Sequence, residues 1–309
     1  VKIIYMGTPD FSVPAIKSLI DAGHEIKCVV TQPDKQRGRG KKVLYTPVKE
    51  EALKYDIEVL QPEKVRERDF IEKLRGYEAD VMVVIAFGQI LPKEVLEMTK
   101  YGCINVHASL LPKYRGAAPI QWAVIDGEKE SGVTTMQMDE GLDTGDILEV
   151  SKVVLDEKET GGSLFDKLSE EGAKLIVSTL DKLEKNEIVP VEQRNEESNY
   201  ASMIKKDMGK IDFSKDAVSI ERLIRGLNPW PSAYTYFNGK TLKLWECDVL
   251  DKDYEGEFGE VVDVDKERIY VKTGDKTLVI KELQLEGKKR MKTLDFLLGN
   301  QVSKGYVLG

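Results

Sequence analysis

The sequence predicts an α/β protein. A Rossmann-like open parallel sheet makes the N-terminal domain, and a small OB-like β-barrel makes the C-terminal one. Three observations carry this. Strand and helix patterns alternate from residue 2 to about 107. The run "DVMVVIAF" is apolar without a break, as a parallel strand covered on both faces requires. Beyond about residue 208 the texture changes to short alternating strands with tight turns. The length, 309 residues, suits two domains. The expected bounds are 1–188, a polar linker 189–207, and 208–309.

Each element follows from local chemistry. "KIIYMG" reads as a buried strand. Thr8 is placed as N-cap with Pro9 first in a helix that runs to about Ala22 and stops at Gly23. "EIKCVVT" is the next strand. Thr46-Pro47 opens a second helix through about Tyr55, "EVLQP" gives a short strand, and "DFIEKLRGY" a third helix. "KEVLEM" is a turn or two of helix before the strand "CINVHAS". "GVTTMQM" and "ILEVSKVVL" add strands without an intervening helix, a mixed edge. Leu164, Leu168, Leu175, Ile176, Leu180 and Leu183 recur near helical spacing in a long helix from about Gly162 to Leu183. After the linker, "SIERLIRGL" is helical, and Asn238-Gly239 between alternating runs signals a hairpin.

Composition narrows the function classes. Hydrophobic residues are 41% and charged ones 32%, ordinary for a globular protein. No apolar run approaches a membrane span of roughly 20 residues, and the first residues enter a strand without signal-peptide anatomy. Cys28, Cys103 and Cys247 are far apart and form neither a disulfide framework nor a CxxC pair. A cytoplasmic location is expected, with no membrane partner and no feature that calls for more than a monomer. The net charge of −8 argues against sequence-blind nucleic-acid binding. From Met208 onward 17 cations balance 17 anions, so the excess acid lies earlier. Against that background "DKQRGRGKK" stands out: Lys35, Arg37, Arg39, Lys41 and Lys42 face one acid, Asp34.

In an open parallel sheet, ligands bind beyond the carboxyl ends of the strands where strand order reverses. Four loops should meet there: Gly7–Asp10, the basic loop, "FGQILP" and "NVHASLLPKYRG". The first turn has one glycine and not GxGxxG, which disfavours a dinucleotide site; "GRGKK" lacks the P-loop spacing. Asn105 and His107, two apart on a strand, project to one face. His24, the second of two histidines, is placed on a surface turn without a role. A lone histidine is usually a satisfied structural one; the paired amide and the strand-end position favour function here. A metal site is disfavoured, since no second histidine can join His107. "MDEGLDTGDIL" crowds carboxylates between two glycines without EF-hand spacing.

"NVHASLLPKYRGAAPIQ", followed about 30 residues later by "GLDTGDIL", resembles the folate-dependent formyltransferases. "MGTPDF", "TQPD…GRGKK" and "NPWP" are similar to the branch that acts on charged initiator tRNA, so the likeness spans the chain. The resemblance implies Asn105, His107 and Asp143 as the catalytic set. It implies transfer of formyl from 10-formyltetrahydrofolate to the α-amino group of methionyl initiator tRNA. The chemistry suits these residues. An amide donor can meet the oxygen that gains charge. An imidazole can move the proton from attacking amine to leaving nitrogen, with a carboxylate favouring its charged form. No covalent intermediate is needed, and Ser109 is a weak candidate nucleophile. Phe87, Gly88, Gln89, Ile90 and Leu91, with Ser109, Leu110, Leu111 and Pro112, are expected to wall the folate, and Met138, Asp139, Glu140 and Gly141 to read its polar edge. The basic loop, Lys205 and Lys206, and Lys288, Lys289 and Arg290 are expected to contact the tRNA backbone. Two alternatives stay open: a formyltransferase acting on an amino sugar nucleotide, and a folate- or RNA-binding protein without catalysis.

Overall fold

The computed structural model describes residues 1–37 and 42–309, with the backbone alone for Gln36, Arg37 and Lys42. Two compact units divide the chain. One comprises Val1–Pro119, Glu130–Val154 and Phe165–Ala201; the other comprises Ile120–Lys129, Leu155–Leu164 and Ser202–Gly309.

In the first unit the strands are β1 (Lys2–Gly7), β2 (Glu25–Val30), the small hairpin β3 (Lys35–Arg37) and β4 (Lys42–Leu44), β5 (Val59–Leu60), β6 (Val81–Ile85), β7 (Cys103–His107), β8 (Arg115–Gly116), β9 (Glu130–Gln137), β10 (Ile147–Val154) and β11 (Tyr200–Ala201). The helices are α1 (Val13–Asp21), α2 (Pro47–Lys54), α3 (Arg68–Arg75), α4 (Lys93–Leu96), α5 (Pro119–Ile125, shared with the second unit) and α6 (Gly161–Glu184, also shared). Seven strands form one sheet in the order β10-β9-β7-β6-β1-β2-β5. Five are parallel; β9 runs antiparallel to β7 and β10 to β9, the mixed edge that the sequence suggested. Strand order reverses between β1 and β6, so the ends at Gly7, Ile85 and His107 lie side by side.

The sheet faces follow the two-residue period. Cys103 shares a core with Ile4, Met6, Met82 and Val84 of the sheet and Ile71, Leu74, Val95 and Leu96 of the helical layer. Asn105 and His107 therefore leave on that same face. Val106 points the other way, where Gly172 of α6 lies close enough that an added Cβ would come within 2.9 Å of Val106 Cγ1. A bare backbone there brings α6 down onto β7. Each buried Ile, Leu or Val side chain in these layers contributes roughly 1.5–3 kcal/mol.

Two local expectations are corrected. The helix after β1 does not start at Pro9: a 3-10 turn spans Asp10–Ser12 and α1 begins at Val13. Thr8 caps nothing, because its hydroxyl donates to the Phe87 carbonyl at 2.9 Å across the neighbouring strand ends. His24 is buried, 8% exposed, and does not sit on the surface. The last turns of α6 cover it, with Asp181 Oδ1 3.5 Å from its Nε2, and burial pushes its pKa down. Thr46 does cap α2, accepting from Lys49 N at 3.1 Å.

The second unit contains α7 (Ala217–Gly226), β12 (Ala233–Phe237), β13 (Lys240–Leu250), β14 (Val261–Val264), β15 (Ile269–Lys272), β16 (Thr277–Leu285), β17 (Met291–Lys292) and α8 (Thr293–Gly299). The sheet is antiparallel throughout, ordered β12-β13-β16-β15-β14 with β17 on β16. Asn238 (φ 49°) and Gly239 (φ 71°) make the predicted tight hairpin. One core draws on every long strand and on Ile220, Ile224 and Phe296 of α7 and α8.

Candidate active site

The site is built at the end of β7. His107 is 6% exposed. Its Nε2 lies 2.8 Å from the Tyr114 carbonyl. A carbonyl only accepts, so Nε2 carries a proton, and Nδ1 is left as the nitrogen that can exchange one. Nδ1 faces Asp143 Oδ2 at 3.8 Å, an ion-pair distance and longer than a direct hydrogen bond. The same Oδ2 accepts from Gly116 N at 2.8 Å. Asn105, half-buried, lies two residues before His107 on the same strand face, and its amide has no hydrogen-bond partner among the described residues. An imidazole with one fixed proton, a carboxylate beside its second nitrogen and, two residues earlier on the same strand face, an amide donor uncommitted among the described residues thus mark the end of β7.

This geometry depends on residues that the sequence reading did not single out. Asp143 (φ 54°) and Tyr114 (φ 58°) hold left-handed backbone conformations, uncommon for residues with a Cβ. Gln193 secures the Asp143 loop. It is 6% exposed, and its Nε2 donates to the carbonyls of Asp143 at 2.9 Å and Gly145 at 2.7 Å. Its Oε1 accepts from Arg115 Nε at 3.0 Å and Nη2 at 2.8 Å. The Asn199 side chain accepts from Tyr114 N, and β11 pairs in parallel with β8. The polar stretch that looked like a linker therefore packs, through residue 201, within the first unit. Nothing in its periodicity signals this, since the contacts join residues 48 to 85 apart.

The expected folate residues fall into three groups. Phe87 and Leu91 are buried in the core shared with Cys103, while Ile90 stands between them 92% exposed. Gln89 ties its loop down, accepting from Val65 N at 2.9 Å; Gly88 turns the chain with φ 87°. In the second group, Ser109 is buried and donates to the Lys113 carbonyl at 2.6 Å, so its hydroxyl closes the "SLLPK" loop. Leu110 and Pro112 are half-buried and Leu111 is buried, with Leu111 N donating to Thr134 Oγ1. In the third, Met138 packs against the core while Asp139, Glu140 and Gly141 are exposed. Asp139 Oδ1 accepts from Gly141 N at 2.9 Å and from Thr144 Oγ1 at 2.7 Å, fixing the turn that leads to Asp143.

Of the expected RNA contacts, Arg39 and Lys41 lie outside the described residues, as do the side chains of Arg37 and Lys42. Exposed Lys35 opens the β3–β4 hairpin, whose foot is anchored. Asp34 accepts from Lys49 Nζ at 2.6 Å and Gln61 Nε2 at 2.7 Å. Partial burial alone would raise the Asp34 pKa; these two hydrogen bonds outweigh it and hold the carboxyl below its usual range. In the second unit Lys205, Lys206, Lys288, Lys289 and Arg290 are all exposed. Arg290 is paired with Glu282 at 2.7 Å and lies 4.9 Å over the Trp245 ring. Among the described residues no helix is long and apolar enough to cross a membrane.

Comparison with known proteins identifies the family. Residues 1–180 match the family described as formyl transferase, and residues 203–301 match its C-terminal domain. The methionyl-tRNA formyltransferase of Lachnospira eligens is 58% identical over 313 residues, covering 100% of this chain and 99% of the relative. That of Clostridioides difficile is 51% identical over 308 residues, covering 100% of both. Among solved structures, the sugar 3N-formyl transferase WlaRD, crystallised with dTDP and 5-N-formyl-THF, superimposes with a TM-score of 0.68 at 22% identity, over 94% of this chain and 99% of that one. A glycinamide ribonucleotide transformylase from Symbiobacterium toebii gives 0.53 at 17%, over 63% of this chain and 94% of that one. At such identities the solved structures share the fold, whereas the sequence relatives match end to end. The chain belongs to the methionyl-tRNA formyltransferase family of formyl transferases.

Proposed function

We propose that this enzyme transfers the formyl group of 10-formyltetrahydrofolate to the α-amino group of methionyl initiator tRNA, directly, through Asn105, His107 and Asp143. The observation that carries the reading is the His107 ring set between the Tyr114 carbonyl and Asp143, with the Asn105 amide, unpaired among the described residues, on the same strand face. The folate supplies an activated formyl carbonyl. Asn105 donates an amide N–H to the carbonyl oxygen as the amine adds and the oxygen gains charge. His107 takes the proton that the attacking amine loses on Nδ1, because Nε2 is already committed, and hands it to the departing folate nitrogen. Asp143 stabilises the ring while it is doubly protonated, and Gly116 N keeps that carboxylate in place. The net change is one C–N bond formed, one broken and one proton relayed.

A folate-type donor fits the residues present. Exposed Ile90, between buried Phe87 and Leu91 in the chain, offers apolar surface, and the exposed 139–141 turn after Met138 offers polar backbone. Residues 1–188 would be the catalytic domain, with 189–201 of the 189–207 connection packed onto it, and 208–309 a tRNA-binding domain, acting together as a cytoplasmic monomer without a metal. The test is an assay with 10-formyltetrahydrofolate and charged initiator tRNA, compared with charged elongator tRNA and with an amino sugar nucleotide. Formyl-methionine on the initiator tRNA is expected. Formylation of the sugar alone would overturn the assignment.

A further inference from the structure

The first unit carries an aromatic ring beside the site that the mechanism leaves unused. Tyr200, in β11, is 63% exposed. The ring is nonetheless held. Gly116 has φ +111°, and a Cβ placed on it would stand 2.6 Å from Tyr200 Cε2 and 2.8 Å from the Ala201 carbonyl. The ring therefore lies against bare backbone, at the residue whose N–H fixes the Asp143 carboxylate. The strand beneath it is pinned: Arg115 N donates to the Asn199 carbonyl at 3.1 Å and Ala117 N to the Ala201 carbonyl at 2.9 Å. Tyr200 pairs across the strands with Arg115. That guanidinium is itself oriented by Gln193 and Asn195, so the residue paired with Tyr200 carries a held cation.

We infer that Tyr200 is a positioning residue: its ring is the platform on which the unpaired terminal base of the charged tRNA stacks. The inference rests on the function proposed above and adds how that substrate is held. Reach supports it. The links from His107 Nδ1 to Asp143 Oδ2 (3.8 Å), from there to Gly116 N (2.8 Å), and from a Gly116 Cβ to the ring (2.6 Å) place Tyr200 within about 12 Å of Nδ1 at ordinary bond lengths. In an aminoacyl nucleotide the α-amino group and the base are separated by the ester and one ribose, about 9–10 Å of covalent chain at such lengths. A base stacked on Tyr200 can thus bring its amine to His107 and Asn105. Every base has a π-face, so an exposed aromatic ring backed by Gly116 holds a single-stranded end without reading its identity. The Arg115 charge matches the phosphate that precedes such a base.

The experiment compares wild type with Tyr200→Leu, which keeps bulk over Gly116 without an aromatic face, and with Tyr200→Phe. Steady-state kinetics are run on charged initiator tRNA. Binding is read from the fluorescence of 2-aminopurine in the terminal position of uncharged tRNA. The leucine variant should raise KM for tRNA by about tenfold or more, with KM for the formyl donor unmoved. The phenylalanine variant should recover both the KM and the quenching of the probe. Wild-type tRNA KM in Tyr200→Leu would overturn the platform, as would a rise confined to the donor KM. Failure to quench the probe in wild type would do the same. A wild type that quenches the probe but forms no formyl-methionine would sink the functional assignment and leave the platform standing.

Discussion

At the scale of single residues, the site depends on which polar groups are already satisfied. His107 has one nitrogen occupied by a carbonyl and one free to exchange a proton; among the described residues the Asn105 amide has nothing to hold. Gln193 does the opposite: all its polar capacity goes into the Asp143 and Gly145 carbonyls and the Arg115 guanidinium. Gln193→Leu would leave two carbonyls without donors and the Asp143 loop untethered. Buried groups stripped of partners cost about 1–3 kcal/mol. We expect Gln193→Leu to lower unfolding stability by about 2 kcal/mol, measured in urea, and kcat by about tenfold through displacement of Asp143. Unchanged kcat would show that Asp143 holds its place without Gln193.

At the scale of elements, the β3–β4 hairpin is held at its foot by Asp34, Lys49 and Gln61. The Asp34 pKa is depressed in the folded state. Its contribution is thus present above the unfolded value near 3.9 and is lost as pH falls through the folded one. Asp34→Asn should cost about 1 kcal/mol at pH 7, a modest value because the group is partly exposed. The cost should shrink as pH falls below the ordinary aspartate value and through the depressed folded one; a cost that stays constant down to full protonation would contradict the ion pair. The elements also show what was legible in the sequence. The apolar run 81–85, the alternation around Asn105 and His107, and the leucine spacing of α6 each encode one local period, and each was readable. The Thr8 hydroxyl was misplaced because its acceptor, the Phe87 carbonyl, lies 79 residues away and becomes adjacent only once β1 and β6 pair. His24 was misplaced because α6, some 160 residues later, covers it. Gln193 and Asn199 were missed for the same reason. The proposed catalytic trio rests on family resemblance; local pattern alone gives the Asn105–His107 pair, while Asp143 stands among several carboxylates of one loop.

At the scale of the whole molecule, three buried thiols report on the two units. Burial pushes the Cys28 and Cys103 thiols up to about 12, and Cys247, fully buried in the second unit, is raised as well. The thiolate is the reactive form. Native protein at pH 8 should therefore resist iodoacetamide, and each unit should expose its cysteines only on unfolding; labelling of Cys103 in folded protein would contradict the packing of β7. The charge distribution bears on substrate choice at this scale too. A chain of net charge −8 is a poor general RNA binder, so its exposed cations must act locally if it is to hold tRNA. The central claim concerns the chemistry at β7, and single-turnover formylation tests it most directly. Saturating enzyme, 10-formyltetrahydrofolate and charged initiator tRNA are mixed for wild type and His107→Ala, with folding checked by thermal denaturation. The account predicts a loss of about 10²–10⁴-fold in the chemical step for a well-folded His107→Ala. A wild-type rate in that variant would contradict it.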